Sequence, residues 1–452
     1  MQENKMGTMP INRLLITMSL PMMLSMLIQA LYNIVDSVFV AQISEEALTA
    51  VSLAFPIQNL MIGIATGTGV GVNALLSRYL GKKEFTKVNV VATSGVLVLF
   101  ISALAFLFFG LFATPIFFEM QGAGAEISDL GIRYLRICTM FSMGIFLEIA
   151  FERLLQATGR TMYTMVTQGL GAIINIILDP IFIFGFGPIP ALGIEGAAIA
   201  TVLGQTIAAV LAFYFNIKYN QDIEFSFKKY RPKFSIIRKI YGIGVPSIIM
   251  VSIGSIMTYG MNQILMGFTK SAAAFFGGVY IKLQSFIFMP IFGLNNGVIP
   301  IVSYNYGAQK PQRIIQTIRL GCMYAIGIMI FGTLLFQFFP EWLLRFFNPS
   351  EEMLEIGVMG LRIISIHFIL AAVSILLSTT FQALGHGMLS LITSAVRQLV
   401  VLLPIAYLLA TTNTIHMVWF AYPIAEVVSL SLCIYFFTKI YKNKISILVQ
   451  ET

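Results

Sequence analysis

The chain has 452 residues, of which 58% are apolar and only 11% charged, and its mean hydropathy is +0.86. Soluble domains carry about 25% charged residues, so this composition excludes a soluble protein and predicts an all-α polytopic membrane protein. The formal charge of +8 could suit nucleic acid, but it is dispersed over short loops, and no nucleic-acid partner is expected.

Twelve apolar runs are long enough to cross a bilayer as helices, which takes about 20 residues. They fall at roughly 12–40, 50–76, 88–112, 131–155, 163–185, 193–217, 238–265, 275–300, 316–338, 357–381, 388–410 and 416–438. The first begins near Ile11, with no small-residue cleavage site to mark a removable leader. An even number of spans leaves both ends on one side. Loops on that side carry Arg78, Lys82, Lys83 and Lys87, then Arg153 and Arg160, then seven Lys or Arg from Lys218 to Lys239. Lys310, Arg313, Arg319, Lys439, Lys442 and Lys444 follow. The opposite loops carry acids, among them Glu45, Glu46, Glu119, Glu126, Glu351 and Glu352. The positive-inside rule then predicts cytoplasmic termini and a cell inner (plasma) membrane location. Lys228, Lys229, Arg231 and Lys233 are expected to touch anionic headgroups, which makes membrane lipids partners.

The longest basic connection, 218–237, divides the chain into an N-lobe (1–217, spans 1–6) and a C-lobe (238–452, spans 7–12). The halves repeat each other at an offset near 226. Gln58 pairs with Gln284, Val72 with Val298, Ser77 with Ser303 and Gly81 with Gly307. Leu135-Arg136 pairs with Leu361-Arg362, and Gln156, Ala157 and Gly159 pair with Gln382, Ala383 and Gly385. Pro21 pairs with Pro246 after a shift of one. Six spans per half keep both halves in one orientation, so the symmetry axis lies along the membrane normal, as in parallel transporter repeats. Two such lobes leave a cleft and can rock between outward-open and inward-open states.

The polar stretch around which the chain is organised is Asn175-Ile176-Ile177-Leu178-Asp179-Pro180, inside the apolar run Tyr163 to Phe184. A carboxylate at that depth costs several kcal/mol unless it is partnered or faces a cavity. Asn175 and Asp179 share a helix face. Pro180 frees the carbonyl of Ile176. By span direction, Asp36 in span 1, Asn175 and Asp179 in span 5 and Thr201 in span 6 reach similar heights in the outer half. Two carboxylates, an amide and a hydroxyl make a hard oxygen site, suited to H+ or Na+ and not to soft metals. The competing readings are a helix cap for Asp36, an i−4 backbone bond for Thr201 and a polar kink for the stretch as a whole.

Glu148 and Glu152 form an i, i+4 pair in the inner part of span 4. Both are pathway candidates, although Glu152 suits an interaction with Arg153 or headgroups equally well. Glu426 in span 12 either pairs with Arg397 or draws a cationic substrate. In the second half Val401 and Ile405 stand at the positions matching Asn175 and Asp179. Tyr259, Asn262, Gln284, Asn295 and Asn296, with Met289 and neighbouring phenylalanines, would instead suit an adaptable cleft for amphipathic cargo. The plain alternative for each of them is interhelical or lipid-facing filler. There is no Walker A stretch and no catalytic constellation, so neither an enzyme nor a cofactor is expected. Cys138, Cys322 and Cys433 read as core fillers, and His367, His386 and His416 as incidental.

Several stretches resemble the multidrug and toxic compound extrusion (MATE) family, in its bacterial multidrug exporter branch. They are "SLPMMLSMLIQALYNIVDSVFV" (Ser19–Val40), "LLSRYLG", "LLQATGRTM", "NIILDPIFIFGFG" (Asn175–Gly187), "GIEGAAIATVLGQ" (Gly193–Gln205), "GIGVPSIIM" and "GVIPIVSYNYGA". The resemblance implies two six-helix lobes that export organic cations against inward H+ or Na+. It assigns Asp36, Asn175, Asp179 and Thr201 to the cation site, and Pro21 to bending of helix 1. Some branches hold acidic ligands in spans 7 and 10, which this chain lacks; a glutamate is also absent at Asn296. The expectation is an ion-coupled antiporter, acting as a monomer on small organic substrates, with no metal beyond Na+. Pro21 and Pro180 are its conformational residues. A flippase for a lipid-linked precursor is the alternative; it would need a strongly basic cleft, and Lys282 and Arg397 are the main basic residues within the spans.

Overall fold

The computed structural model describes residues 4–122 and 124–447. A bilayer offers backbone polar groups no partner, so a chain of this composition closes its hydrogen bonds inside helices. Ten helices among the described residues are long and apolar enough to span a membrane. Two further pairs, Ala125–Met140 with Met143–Ala157 and Glu351–Ser365 with Phe368–Ala383, bend by 42° and 51° at short breaks. Counting each pair as one span gives up to twelve. Large apolar side chains such as Val210, Phe112 and Phe338 are 65–72% exposed, a surface that suits lipid and not water.

The two bent pairs cover the fourth and tenth expected spans, which the apolar pattern alone reads as continuous. Neither break contains proline. At the first, the Ser142 hydroxyl donates to the Ala103 carbonyl at 3.3 Å. At the second, the His367 ring engages the Ile364 carbonyl. Side chains that bond at a break stabilise a kink against the helical ladder. The second members start at Met143 and Phe368, 225 residues apart, so the breaks obey the internal repeat.

Other contacts repeat as well. Ser77 donates to the Ala157 carbonyl at 2.9 Å, and 226 residues later Ser303 donates to the Ala383 carbonyl at 2.8 Å. The turns that follow these helix ends use matching left-handed residues, Gly159 and Gly385 at φ 84° and 85°, and Lys83 and Gln309 at φ 59° and 56°. Both glycines adopt a backbone region that costs other residues about 1–2 kcal/mol.

The chain divides into two compact units, Leu24–Ile248 and Met1–Met23 with Ile249–Thr452. The expected boundary is the 218–237 connection; relative to it, the units exchange residues 1–23 and 238–248. Both divisions within a helix fall two residues beyond a proline, Pro21 in Ile11–Ala41 and Pro246 in Phe234–Met266. Proline removes an i−4 hydrogen bond and softens the helix there. The connection itself packs onto the Leu24–Ile248 unit. The Glu224 backbone N–H donates to Asn89 at 2.9 Å, and Ile223 is buried. On its exposed side, a hydrogen bond from Lys229 at 2.7 Å holds the Glu224 carboxyl below its usual range.

Ser77→Ala and Ser303→Ala each leave a buried carbonyl without its partner, which costs about 1–3 kcal/mol. Because the contact recurs, the two variants are expected to lower the unfolding midpoint in detergent by similar amounts. A drop for only one would show that the repeated bond is not equivalent in the two units.

Candidate ion and substrate site

The helices Thr161–Phe184 and Ile194–Tyr219 pack at very short range because glycines face each other. A Cβ on Gly196 would lie 2.4 Å from the Phe182 carbonyl oxygen. One on Gly204 would lie 2.8 Å from the Gly171 carbonyl oxygen and 3.4 Å from the Asn175 Cβ. Small residues at such crossings let backbones approach within a membrane, where dispersion and hydrogen bonds drive association. The approach carries Asn175 to Thr201. With its amide oriented by the surrounding hydrogen bonds, Asn175 donates to Asp179 Oδ2 at 3.1 Å. It accepts from the Thr201 hydroxyl at 3.2 Å and from the Thr201 backbone N–H at 3.1 Å. Asp179 is 0% exposed and Asn175 2%.

Asp36 joins this group from the helix Ile11–Ala41. It lies close enough to Asp179 for direct electrostatic interaction, and its Oδ1 is buried without a hydrogen-bond partner. Tyr32, one turn earlier, lies within electrostatic reach of Asp36, Asp179 and Glu148. Asn175, Asp179 and Thr201 are thus bonded together, and Asp36 belongs to the same Leu24–Ile248 unit. No group of three or more His, Cys, Asp or Glu side chains among the described residues could hold a metal ion. A cation here would depend on the neutral oxygens of Asn175 and Thr201 as well as on the carboxylates, a donor set suited to a hard monovalent ion.

Asn175 and Thr201 also line a cavity of about 110 Å³ in the same unit, with Gln29, Tyr32, Thr66, Glu148, Glu152, Arg153, Gln168 and Gln205. It has room for several waters. Glu152 does not reach headgroups. It is 2% exposed and accepts from the Thr167 hydroxyl and from Gln168 Nε2, each at 2.7 Å. Ser25 in turn bonds Gln168. Arg153 donates to Gln156 at 2.8 Å. Glu148 lines the same cavity one turn from Glu152. Sequence reasoning missed Gln29, Tyr32, Gln168 and Gln205. Their spacing held the signal: Gln29, Tyr32 and Asp36, and likewise Gln168, Asn175 and Asp179, recur at helical intervals on one face.

The remaining candidates belong to the other unit. Tyr259 is 67% exposed, and Asn295 and Asn296 are buried. Gln284 and Met289 are half-buried. The Oδ1 atoms of Asn262 and Asn295 have no hydrogen-bond partner. Glu426 is bonded by Arg397 at 3.3 Å. His367 is buried at the 51° break, with its ring 5.5 Å from that of Tyr422.

The sequence profile of the MatE family matches residues 21–181 and 244–408, both halves of the repeat. The chain belongs to the MatE family. It is accordingly a polytopic membrane transporter of small organic compounds and not an enzyme. An FAD transporter of Shewanella oneidensis is 29% identical over 433 residues, covering 94% of each chain. The multidrug export protein MepA of Staphylococcus aureus is 25% identical over 409 residues, covering 88% of this chain and 87% of its own. A crystal structure of a MATE protein in complex with MaL6 superposes with a TM-score of 0.92 over the full length of both chains at 24% identity.

Gly204→Val places methyl groups against Asn175 and the Gly171 carbonyl, an overpacking cost of about 1–3 kcal/mol. Transport by this variant is expected to fall at least tenfold while the protein still elutes as a folded species. Gly242→Ala, where an added Cβ meets nothing within 4 Å, is the control and is expected to transport normally.

Proposed function

We propose that the protein is a secondary antiporter that exports amphipathic, mainly cationic, organic compounds in exchange for inward H+ or Na+. It does so as a monomer of the inner membrane, with twelve spans in two six-helix lobes and both termini in the cytoplasm. One observation carries this reading. Asn175 and Thr201 belong both to the group around Asp179 and to the lining of the cavity that Glu148 faces. Coupling ion and cargo are therefore set against each other at short range. Two unit charges about 6 Å apart repel by roughly 3 kcal/mol at an effective dielectric near 20, enough to make the two occupancies nearly exclusive.

In this scheme the ion neutralises the Asp36 and Asp179 carboxylates. The helix Ile11–Ala41 bends near Pro21 in response, and the cavity changes shape around Asn175. Pro180 leaves the Ile176 carbonyl available beside Asp179. Glu148 attracts the cationic end of the cargo, and Glu152, fixed by Thr167 and Gln168, holds its shape. The other unit, taken by itself, carries Tyr259, Asn262, Gln284, Met289, Asn295 and Asn296 as adaptable contacts for apolar groups. Each net inward charge moved per cycle supplies about 2.3 kcal/mol per 100 mV, roughly a fifty-fold concentration ratio, so a one-for-one exchange against a monovalent cation draws only on the ion's concentration gradient.

The FAD transporter among the relatives supports a second reading, an organic anion. Arg153 in the cavity lining gives that cargo a cation to meet. A lipid-linked precursor would need more positive charge than this cavity carries.

Reconstituted vesicles test both readings. Asp179→Asn is expected to abolish gradient-driven efflux and leave folding intact; unchanged efflux would defeat the ion-site assignment. Imposing Na+ and pH gradients separately identifies the ion. Glu148→Gln is expected to raise KM for cationic dyes about tenfold and to leave neutral cargo nearly unaffected. Flavin nucleotide uptake without dye efflux would select the anionic reading.

A further inference from the structure

The cavity in the Leu24–Ile248 unit holds more neutral hydrogen-bonding groups than an apolar cation can use. Three of its lining residues are glutamines, each from a different helix: Gln29 from Ile11–Ala41, Gln168 from Thr161–Phe184 and Gln205 from Ile194–Tyr219. A carboxamide at membrane depth costs desolvation unless it is met. Gln168 is met within the protein: its Nε2 donates to Glu152 Oε2 at 2.7 Å, and its Oε1 accepts from the Ser25 hydroxyl. Gln29 and Gln205 are half-buried, and among the described residues neither carboxamide has a hydrogen-bond partner. Space between helices can be filled by leucine or methionine without that cost, so packing alone does not account for two unused amides at one cavity.

A carboxamide presents a donor and an acceptor side by side in one plane. Its best partner is an edge with the complementary pair, such as a ring amide, an imide or an aminopyridine. It binds such an edge by two parallel hydrogen bonds, as glutamine binds the edge of adenine in DNA. Ile62, Ile145 and Ile149 line the same cavity and give the faces of a flat ring apolar contact. The cavity, about 110 Å³, is smaller than the roughly 300–1,000 Å³ that encloses a whole drug-sized molecule. It therefore takes one ring of a cargo and not all of it.

We propose that Gln29 and Gln205 select cargo by a neutral edge: the preferred compounds carry a planar nitrogen heterocycle with an adjacent donor and acceptor, whatever their charge. The inference rests on the cavity being the cargo site, as proposed above, and adds which ring that site accepts. A ring with the matching edge replaces the hydrogen bonds that the amides would otherwise make to water. A ring without it leaves both amides unpaired, the loss by which polar sites discriminate most strongly. Glu148, in the same lining, acts on the charge of the cargo and the two glutamines on its edge, so the two selections are separable.

Two fluorescent probes test this: a naphthalimide with a quaternary ammonium tail and a free imide N–H, and the same compound methylated at the imide nitrogen. Their affinities for the purified full-length protein in detergent are read by fluorescence anisotropy, so the result needs no ion gradient. The protein is expected to bind the N–H probe about tenfold more tightly. Gln29→Met and Gln205→Met are close in volume and cannot pair, and each is expected to bring the two affinities to within about twofold of each other. Equal affinities in the unaltered protein, or binding of neither probe, would overturn the inference. So would a preference that survives both substitutions, because the bulk of the methyl group would then be its cause. Should one methionine variant fail to fold, the other decides. Efflux of the same probes from vesicles is read in parallel: a glutamine-dependent preference in binding without gradient-driven efflux would fault the antiporter reading and leave the edge selection standing.

Discussion

A carboxylate buried at membrane depth has to be met by hydrogen bonds, by a counter-charge or by an exchangeable ion. In this protein Asp179 is met by an amide, not by a cation. Asn175 spends its donor on Asp179 and its acceptor on Thr201. That single side chain links two neighbouring helices and orders the hydroxyl and the carboxylate around one point. A lysine or arginine there would neutralise Asp179 permanently. An amide satisfies part of its demand and leaves its charge in place.

The amide can bridge only because the helices that carry it are so close. Gly171, Gly196 and Gly204 permit backbone contact that an alanine would already obstruct. In water such packing would compete with the burial of larger side chains. In lipid there is no such reward, and short range is what makes dispersion and hydrogen bonding effective. Site and packing are thus one structure: what presses the helices together also sets the position of Asn175 at the cavity wall.

The two units share their scaffold and differ in their charges. The Ser77 and Ser303 contacts, the paired left-handed turns and the two bends recur at the repeat offset. The ionisable groups do not. One unit places Asp36 and Asp179 beside neutral oxygens, and the other pairs Glu426 with Arg397. The turns and bonds that recur shape the fold, whereas a charge is tolerated at depth only where its own surroundings answer it. Each unit therefore carries its charge in its own way.

The all-helical membrane class and the repeat were legible in the sequence because they depend on local patterns: length of apolar runs and a constant offset. The Asn175/Asp179 pair was legible because helical spacing alone puts both on one face, and the span directions brought Asp36 and Thr201 to similar height. The bends at Ser142 and His367 were not, since no proline marks either and each depends on where its side chain bonds. The π-helical turn Val396–Leu402 that carries Arg397 and the burial of His367 left no local trace either. Nor did the exchange of residues 1–23 and 238–248 between units. A sequence records which residues can share a helix face. Which faces then meet is settled by packing between distant segments, and only the tertiary structure decided that Glu148 and Glu152 would line one cavity and that Thr167 and Gln168 would bond Glu152.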